Sequence, residues 1–221
     1  IVCSLVGSEM CIRDRDAGNG VINMGTLQQS AGDLILMTNG NGAATVVNNA
    51  GIDFGTSNVG GALSATASAG NITQNGGAIT VAGTSSFILG ANSANVVLDH
   101  ASNAFSGAVT LLAGAGGSQA FGNVTFVDDS AVKIDANADA AGDLYLNAGT
   151  DGAVGGNLAV TATTGNITQG VAVAVTGTSA FTTSATDATI TLGTTTNALG
   201  GTVAFTTAGT AGNVVIDNGT T

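Results

Sequence analysis

The sequence predicts an all-β chain wound as a right-handed parallel β-helix, a β-solenoid that is a fragment of a longer repeat array. Three observations lead to this prediction. Residues that favour helices are scarce, short segments alternate apolar and polar residues, and three sequence landmarks recur about 94 residues apart. Strong helix formers such as Glu, Arg, Lys and Gln are almost absent, whereas Gly, Asn, Thr and Val are abundant.

The composition predicts a chain that folds around a core. Of its 221 residues 44% are hydrophobic and only 8% are charged, with a formal net charge of −11. Disordered chains combine high charge with low hydrophobicity, so disorder is excluded. The apolar runs, such as residues 171–175, are much shorter than the roughly 20 residues of a transmembrane helix. We therefore expect a chain that does not span a membrane.

Residues 1–15 differ from the rest of the chain and resemble a translated sequencing adapter, through the peptide LVGSEMCIRDR. They contain both cysteines, the only Glu and both arginines. We interpret residues 1–15 as an artefact and residues 16–221 as a β-helix repeat region. This region has no Arg and a single lysine, Lys133, so it lacks the basic clusters that bind nucleic acid. It also lacks cysteine, which excludes a disulfide framework.

Alternating segments predict the individual strands, because alternation places one face of a strand inward and the other outward. Gly-Asn, Asn-Gly and Gly-Gly pairs separate these segments and favour turns. The clearest segments are Leu144-x-Leu146, Leu158-x-Val160, Val109-x-Leu111, Val124-x-Phe126, Val132-x-Ile134, Ile190-x-Leu192 and Val203-x-Phe205. The seven phenylalanines are predicted core residues: Phe54, Phe87, Phe105, Phe121, Phe126, Phe181 and Phe205.

A duplication distinguishes a solenoid from a sandwich. Gly70–Gln74 (GNITQ) recurs at 165–169, GTSSF at 83–87 recurs as GTSAF at 177–181, and NAFSGAV at 103–109 recurs as NALGGTV at 197–203. We divide the repeat region into 16–59, the tail of a preceding copy, 60–154, one copy, and 155–221, a partial copy. Rungs of about 20 residues predict about ten rungs and a rod of about 50 Å.

The segments GNLAVTA at 156–162, GNITQ at 165–169, VTGTSAF at 175–181 and NALGGTV at 197–203 resemble filamentous haemagglutinin-like adhesins of two-partner and related type V secretion systems. The resemblance covers essentially residues 16–221. It implies a right-handed parallel β-helix, secretion to the cell surface by a Gram-negative outer-membrane transporter, and roles in adhesion and biofilm formation. The partners it implies are glycans or proteins on host or bacterial cells. Autotransporter passengers have a similar composition and are an alternative.

No residue is predicted to be catalytic, to bind a cofactor or to bind a metal, and we expect no enzymatic activity. The lone His100, beside Asp99, has no suitable nucleophile near it in the sequence and is interpreted as a turn residue. The densest acidic segment, Asp128-Asp129 near Lys133 and Asp135, could hold calcium, but solvated turn carboxylates are the preferred interpretation.

Three further hypotheses stay open at this point. A fragment of a polysaccharide-active β-helix enzyme would need a groove lined by three or more Asp, and an ice-binding face would need a flat Thr-x-Thr column. Four sequons, beginning at Asn71, Asn123, Asn166 and Asn218, are attributed to the abundance of Asn and Thr rather than to glycosylation. We also expect both ends of the solenoid to expose unpaired strand edges.

Overall fold

The computed structural model describes residues 10–13, 20–114 and 119–219, and these residues form 25 strands. Every pairing between strands is parallel, and the strands lie in three sheets. The 12-stranded sheet contains β1 Met10–Arg13, β3 Leu34–Met37, β5 Ile52–Phe54, β6 Ser57–Val59, β8 Ile72–Gln74, β9 Ile79–Val81, β11 Val96–Leu98, β12 Ala104–Phe105, β14 Val124–Asp128, β18 Leu158–Ala162, β21 Ser179–Thr186 and β24 Val203–Ala208. The 10-stranded sheet contains β2 Ile22–Leu27, β4 Ala44–Asn48, β7 Leu63–Ala67, β10 Ser85–Leu89, β13 Val109–Ala113, β15 Val132–Asp135, β16 Asp143–Asn147, β19 Ile167–Gln169, β22 Ile190–Leu192 and β25 Val214–Ile216. The 3-stranded sheet contains β17 Ala153–Val154, β20 Ala174–Val175 and β23 Ala198–Leu199.

The chain is a β-solenoid, as the repeat predicts. Leu63 pairs with Ser85, and Ser85 pairs with Val109, so one turn of the chain separates strands that lie side by side. The solenoid has about eight turns. The expectation of about ten rungs was too high, because most turns are longer than 20 residues. The 10-stranded sheet has more strands than the solenoid has turns, because β16 is an additional strand between β13 and β15.

The core lies between the sheets and consists of the inward-facing residue of each alternating pair. All seven predicted segments lie within strands, and their apolar residues are buried except at β24. Six of the seven phenylalanines are no more than 1% exposed, and Phe205 is half-buried. Phenylalanine rings of successive turns stack on one another. The ring centroids of Phe105 and Phe126 are 5.5 Å apart, and those of Phe181 and Phe205 are 5.8 Å apart. Each fully buried Phe, Leu or Ile contributes about 1.5–3 kcal/mol to the free energy of folding.

The two repeat copies occupy exchanged sheets. Ile72, in β8, lies in the 12-stranded sheet, whereas its counterpart Ile167, in β19, lies in the 10-stranded sheet. Phe87 and its counterpart Phe181 show the opposite exchange. The short third strands β9 and β12 belong to the 12-stranded sheet, whereas their counterparts β20 and β23 form the separate 3-stranded sheet. The second copy is therefore rotated about the solenoid axis relative to the first, rather than simply translated.

The exchange occurs across strands β14 to β17. The strand β16 inserts between β13 and β15, with Leu146 paired to Leu111 and Leu144 paired to Ile134. After this insertion β18 stacks on β14, through the pairs Val124–Leu158 and Phe126–Val160. We call residues 128–151 the junction, because they connect the two arrangements.

Glycines stack at one corner of successive turns because the backbones of those turns approach closely there. A Cβ atom on Gly107 would lie 2.5 Å from the carbonyl oxygen of Gly83, and one on Gly201 would lie 2.4 Å from that of Gly177. Real Cβ atoms do not approach backbone oxygens so closely, so these corners require glycine. The recurring Gly-Thr and Gly-Gly pairs in the sequence thus have a packing reason.

The predicted artefact, residues 1–15, lies largely outside the described residues. Its described part, Met10–Arg13, forms β1 and pairs in parallel with Leu34–Met37. Within the described ranges the structure has no helix that is long and apolar enough to cross a membrane.

Candidate functional site

Buried amide side chains connect successive turns in the first copy. Gln74 and Asn103 are bonded reciprocally: Gln74 Nε2 donates to Asn103 Oδ1 at 2.7 Å, and Asn103 Nδ2 donates to Gln74 Oε1 at 2.9 Å. Asn103 is fully buried, and its Oδ1 also accepts the backbone N–H of Ile79 at 2.9 Å. This arrangement, which we call the amide clasp, satisfies the polar groups of the turn that connects β8 to β9.

The same clasp recurs in the second copy. Gln169 Nε2 donates to Asn197 Oδ1 at 2.8 Å, and Asn197 Nδ2 donates to Gln169 Oε1 at 3.0 Å. Asn197 Oδ1 also accepts the N–H of Val173 at 2.8 Å. The last residue of GNITQ and the first residue of the segment NAFSGAV, or NALGGTV in the second copy, therefore form one structural unit. The sequence contained the signal for the clasp in both repeated motifs, but it did not show that the two residues meet.

An asparagine ladder runs along an outer corner of the solenoid. Asn71 Oδ1 accepts the N–H of Asn95 at 2.9 Å, Asn95 Oδ1 accepts that of Asn123 at 2.6 Å, and Asn123 Oδ1 accepts that of Asn157 at 2.9 Å. Asn166 Oδ1 likewise accepts the N–H of Thr189 at 2.8 Å. The fourth sequon asparagine, Asn218, accepts the N–H of Leu199 at 3.0 Å, so all four sequon asparagines have a structural role in linking turns. Their modification stays a prediction.

The junction contains more than half of the charged residues that follow position 15. Six of the twelve Asp residues after position 15 lie in residues 128–151, together with the only lysine of that region. Lys133 Nζ forms an ion pair with Asp135 Oδ2 and lies 3.9 Å from Asp143 Oδ1. The hydrogen bond with Asp135 raises the pKa of the Lys133 amine, and the same bond lowers the pKa of the Asp135 carboxyl.

The only tyrosine also lies in the junction. The Tyr145 hydroxyl donates to Asp151 Oδ1 at 3.0 Å and accepts a hydrogen bond from Asn147 Nδ2 at 2.6 Å. Partial burial, followed by the neighbouring Asp151 carboxylate, raises the pKa of the Tyr145 hydroxyl. Tyr145 pairs with Asp135 in the adjacent strand, so Lys133, Asp135, Asp143, Tyr145 and Asp151 belong to one region.

Asp128 begins the junction and is only 2% exposed. Its Oδ1 accepts the N–H of Phe105 at 2.9 Å, and its Oδ2 accepts the hydroxyl hydrogen of Ser130 at 2.6 Å. Burial raises the pKa of the Asp128 carboxyl, and repulsion from Asp129 adds to the shift, although the hydrogen bonds oppose it. The preferred sequence interpretation of Asp128 as a solvated carboxylate was wrong, because the turn folds back against β12.

The metal and acid–base alternatives concern the acidic segment around Asp128 and the lone His100. Across residues 10–13, 20–114 and 119–219, no group of three or more His, Cys, Asp or Glu is arranged to hold a metal ion. His100 lies beside a turn, where its Nδ1 accepts the N–H of Ser102 at 3.1 Å.

A polar cleft of about 300 Å³ opens on the side of three successive turns near the start of the solenoid. Asp53 is the one carboxylate among its lining residues, and the Thr73 hydroxyl donates to Asp53 Oδ1 at 2.8 Å. The cleft therefore lacks the three Asp residues that the enzyme hypothesis requires. Its lining residues are Gln29, Ser30, Ala31, Gly32, Ala50, Gly51, Ile52, Asp53, Asn71 and Thr73.

The threonines of β21 do not form a Thr-x-Thr array. Thr182 pairs with Thr161 and Thr206, which gives one outward column of threonines. The neighbouring outward column consists of alanines, and Thr183 is fully buried. A single column is narrower than the flat face that the ice-binding hypothesis requires.

Comparison with known families identifies the repeat. Residues 41–112 and 121–206 match a family described as repeats of unknown function (DUF5649). The chain belongs to this family. Both matches end at equivalent positions, just after Leu111 in the first copy and Phe205 in the second, in agreement with the duplication. No curated protein and no solved structure matches the chain.

Proposed function

We propose that this DUF5649 chain is a non-catalytic structural stalk of a large secreted or surface-exposed bacterial adhesin, and that it holds a separate binding domain away from the cell. The observation that supports the proposal is the continuous stack of about eight parallel turns. Turns spaced at about 4.8 Å give a rod of about 40 Å. Such a rod provides reach without needing a binding pocket.

The polar residues support the same proposal. The Gln and Asn side chains of the amide clasps and the asparagine ladder form their hydrogen bonds within the solenoid rather than presenting these groups to a ligand. The resemblance to filamentous haemagglutinin-like adhesins suggests export by an outer-membrane transporter and partners among glycans or proteins of host or bacterial cells. An autotransporter passenger would use the same rod in the same way.

The test replaces the rod while preserving its length. In a bacterium that exports the intact protein, residues 20–219 are exchanged for an unrelated rigid solenoid of about 40 Å, and adhesion to cells is counted. We expect adhesion to be retained with the rigid replacement and reduced with a flexible Gly/Ser linker, because a flexible linker does not hold a fixed distance. Loss of adhesion with the equally long rigid rod would contradict the proposal. Cleavage of a polysaccharide by the purified chain would instead favour the enzyme hypothesis.

A further inference from the structure

The dipeptide Asn-Gly occurs five times in the sequence, and four of its occurrences lie within the described residues. These four begin at Asn39, Asn41, Asn75 and Asn218. Asparagine followed by glycine deamidates readily, because glycine has no side chain to keep its backbone nitrogen away from the side-chain carbonyl carbon of asparagine. The four sites share this local chemistry, so a difference in their reactivity comes from the fold.

Asn75-Gly76 lies in the turn that connects β8 to β9 and is open to solvent. Both residues are exposed, and a Cβ atom added to Gly76 would have nothing within 4 Å beyond its chain neighbours. Among the described residues, neither the Asn75 side chain nor the Gly76 N–H has a hydrogen-bond partner. The Asn75 side chain is therefore free to rotate toward the backbone nitrogen of Gly76.

The other described Asn-Gly sites are held by contacts of the solenoid. The N–H of Gly42 donates to Asn39 O at 3.0 Å, and Gly42 is buried, so the nitrogen that would attack Asn41 is engaged. Asn39 also has an interaction partner of its own. Asn218 Oδ1 accepts the N–H of Leu199 at 3.0 Å, and Asn218 Nδ2 donates to Leu199 O at 3.3 Å. Each of these sites must open before it can react.

We propose that Asn75 is a site of spontaneous deamidation, and that the reaction loosens the amide clasp of the first copy. The backbone nitrogen of Gly76 gives up its proton to water and forms a bond to Cγ of Asn75. The bond between Cγ and Nδ2 breaks, and the amide nitrogen takes a proton from water and leaves as ammonia. Water then opens the resulting succinimide ring at either carbonyl, which gives aspartate or isoaspartate.

Isoaspartate changes the path of the backbone in the turn that the clasp spans. The chain then runs through the side-chain carbons of position 75, which adds one atom to the backbone after that position. Gln74 Nε2 donates both to Gly77 O, beyond this point in the turn, and to Asn103 Oδ1. A longer turn displaces Gly77 from Gln74. The clasp that holds the N–H of Ile79 is thereby loosened.

The second copy lacks the reactive dipeptide. Its clasp residue Gln169 is followed by Gly170 and Val171, where the first copy has Asn75 and two glycines. Gln169 Nε2 donates to Val171 O at 2.7 Å, so the same kind of hydrogen bond closes this turn. Deamidation therefore affects the clasp of one copy and leaves the other as an internal reference.

The first measurement compares the Asn-Gly sites in the intact chain. The chain is incubated at mildly alkaline pH and digested with pepsin at acid pH, where deamidation is slow, and the peptides are analysed by mass spectrometry. We expect Asn75 to deamidate at least about tenfold faster than Asn41 and Asn218, because those two react only when their turns open. In urea, which unfolds the turns, the rates should converge. Equal rates in the folded chain would overturn the proposal, and so would a difference that persists in urea.

The second measurement tests the effect on the clasp. The isoaspartate form is separated by anion exchange, identified by labelling with an isoaspartyl methyltransferase, and compared with the unmodified chain by amide hydrogen exchange. We expect the Ile79 amide to exchange about tenfold faster in the isoaspartate form, whereas the Val173 amide, in the clasp of the second copy, should not change. Unchanged exchange of Ile79 would overturn the loosening of the clasp.

Two variants separate deamidation from other effects of incubation. Asn75→Gln, whose longer side chain cyclises much more slowly, should keep its Ile79 exchange constant throughout the incubation. Asn75→Asp, measured without incubation, introduces the charge but not the additional backbone atom, so its Ile79 amide should exchange as in the unmodified chain. Faster exchange of Ile79 in either variant would overturn the proposal, because the loosening would then not require isoaspartate.

Discussion

The amide clasp makes a quantitative prediction for Asn103→Ala. The substitution leaves the N–H of Ile79 buried without its acceptor, which costs about 1–3 kcal/mol. It also removes two hydrogen bonds to Gln74, each contributing about 0.5–1.5 kcal/mol, and part of this loss is recovered because Gln74 is half-buried and can bind water. We expect the free energy of unfolding to fall by about 2–4 kcal/mol.

Urea denaturation followed by circular dichroism measures this change, and hydrogen exchange of the Ile79 amide locates it. The matched control is Asn137→Ala, at an exposed position, which should change stability by less than about 0.5 kcal/mol. In a double-mutant cycle, Gln74→Ala and Asn103→Ala should be non-additive by about 1 kcal/mol or more, since each removes the other's partner. Equal effects of Asn103→Ala and Asn137→Ala, or strict additivity in the cycle, would refute the reasoning.

Three further substitutions test other parts of the structure. Ser179→Ala should raise the free energy of unfolding by about 1 kcal/mol, measured in urea, because the buried hydroxyl of Ser179 has no hydrogen-bond partner; a loss of stability would contradict this. The raised pKa of Asp128 means that its contribution to stability is fully present below the pKa of the unfolded chain and is lost as pH rises through the folded pKa. Asp128→Asn should therefore flatten the decline of stability as the pH rises through the pKa of the folded Asp128 carboxyl, measured by urea denaturation at a series of pH values, and an unchanged pH profile would contradict this. Gly107→Ala should cost about 1–3 kcal/mol in thermal or urea unfolding because its Cβ would meet the oxygen of Gly83. Gly25→Ala, where nothing lies within 4 Å of the added Cβ, is the control, and an equal cost at both positions would argue against close approach as the cause.

Strand content and core composition could be predicted from the sequence because both depend on local pattern. Alternation identified Val124-x-Phe126 and Leu158-x-Val160 as inward-facing pairs, and these residues are buried. The number of turns was harder to predict, because the segments that connect the strands vary in length. The asparagine ladder spans 24 residues in one step and 34 in another, and a uniform repeat does not predict that difference.

The polar contacts were harder to predict than the core. Gln74 and Asn103 are 29 residues apart, and each looks like an ordinary turn residue in its own segment. Their recurrence as Gln169 and Asn197 indicated importance but gave no partner. The burial of Asp128 was likewise hidden, because a charged residue next to Asp129 suggests solvent exposure until the neighbouring turn is placed beside it.

The sequence by itself determined that the chain is all-β, that it is a repeat, and which residues face inward, because a period of two and a duplication are properties of the linear order of residues. Only the tertiary structure decided that the two copies lie in exchanged sheets and that β16 inserts between β13 and β15. Equivalent segments carry the same local preferences in either sheet, so neighbouring turns, and not the segment itself, select the sheet. The same reason explains why Val214 and Val124 differ in exposure although they lie in similar segments. Val124 is buried because a further strand pairs with its own strand, and Val214 is exposed because no strand of the described residues lies above it.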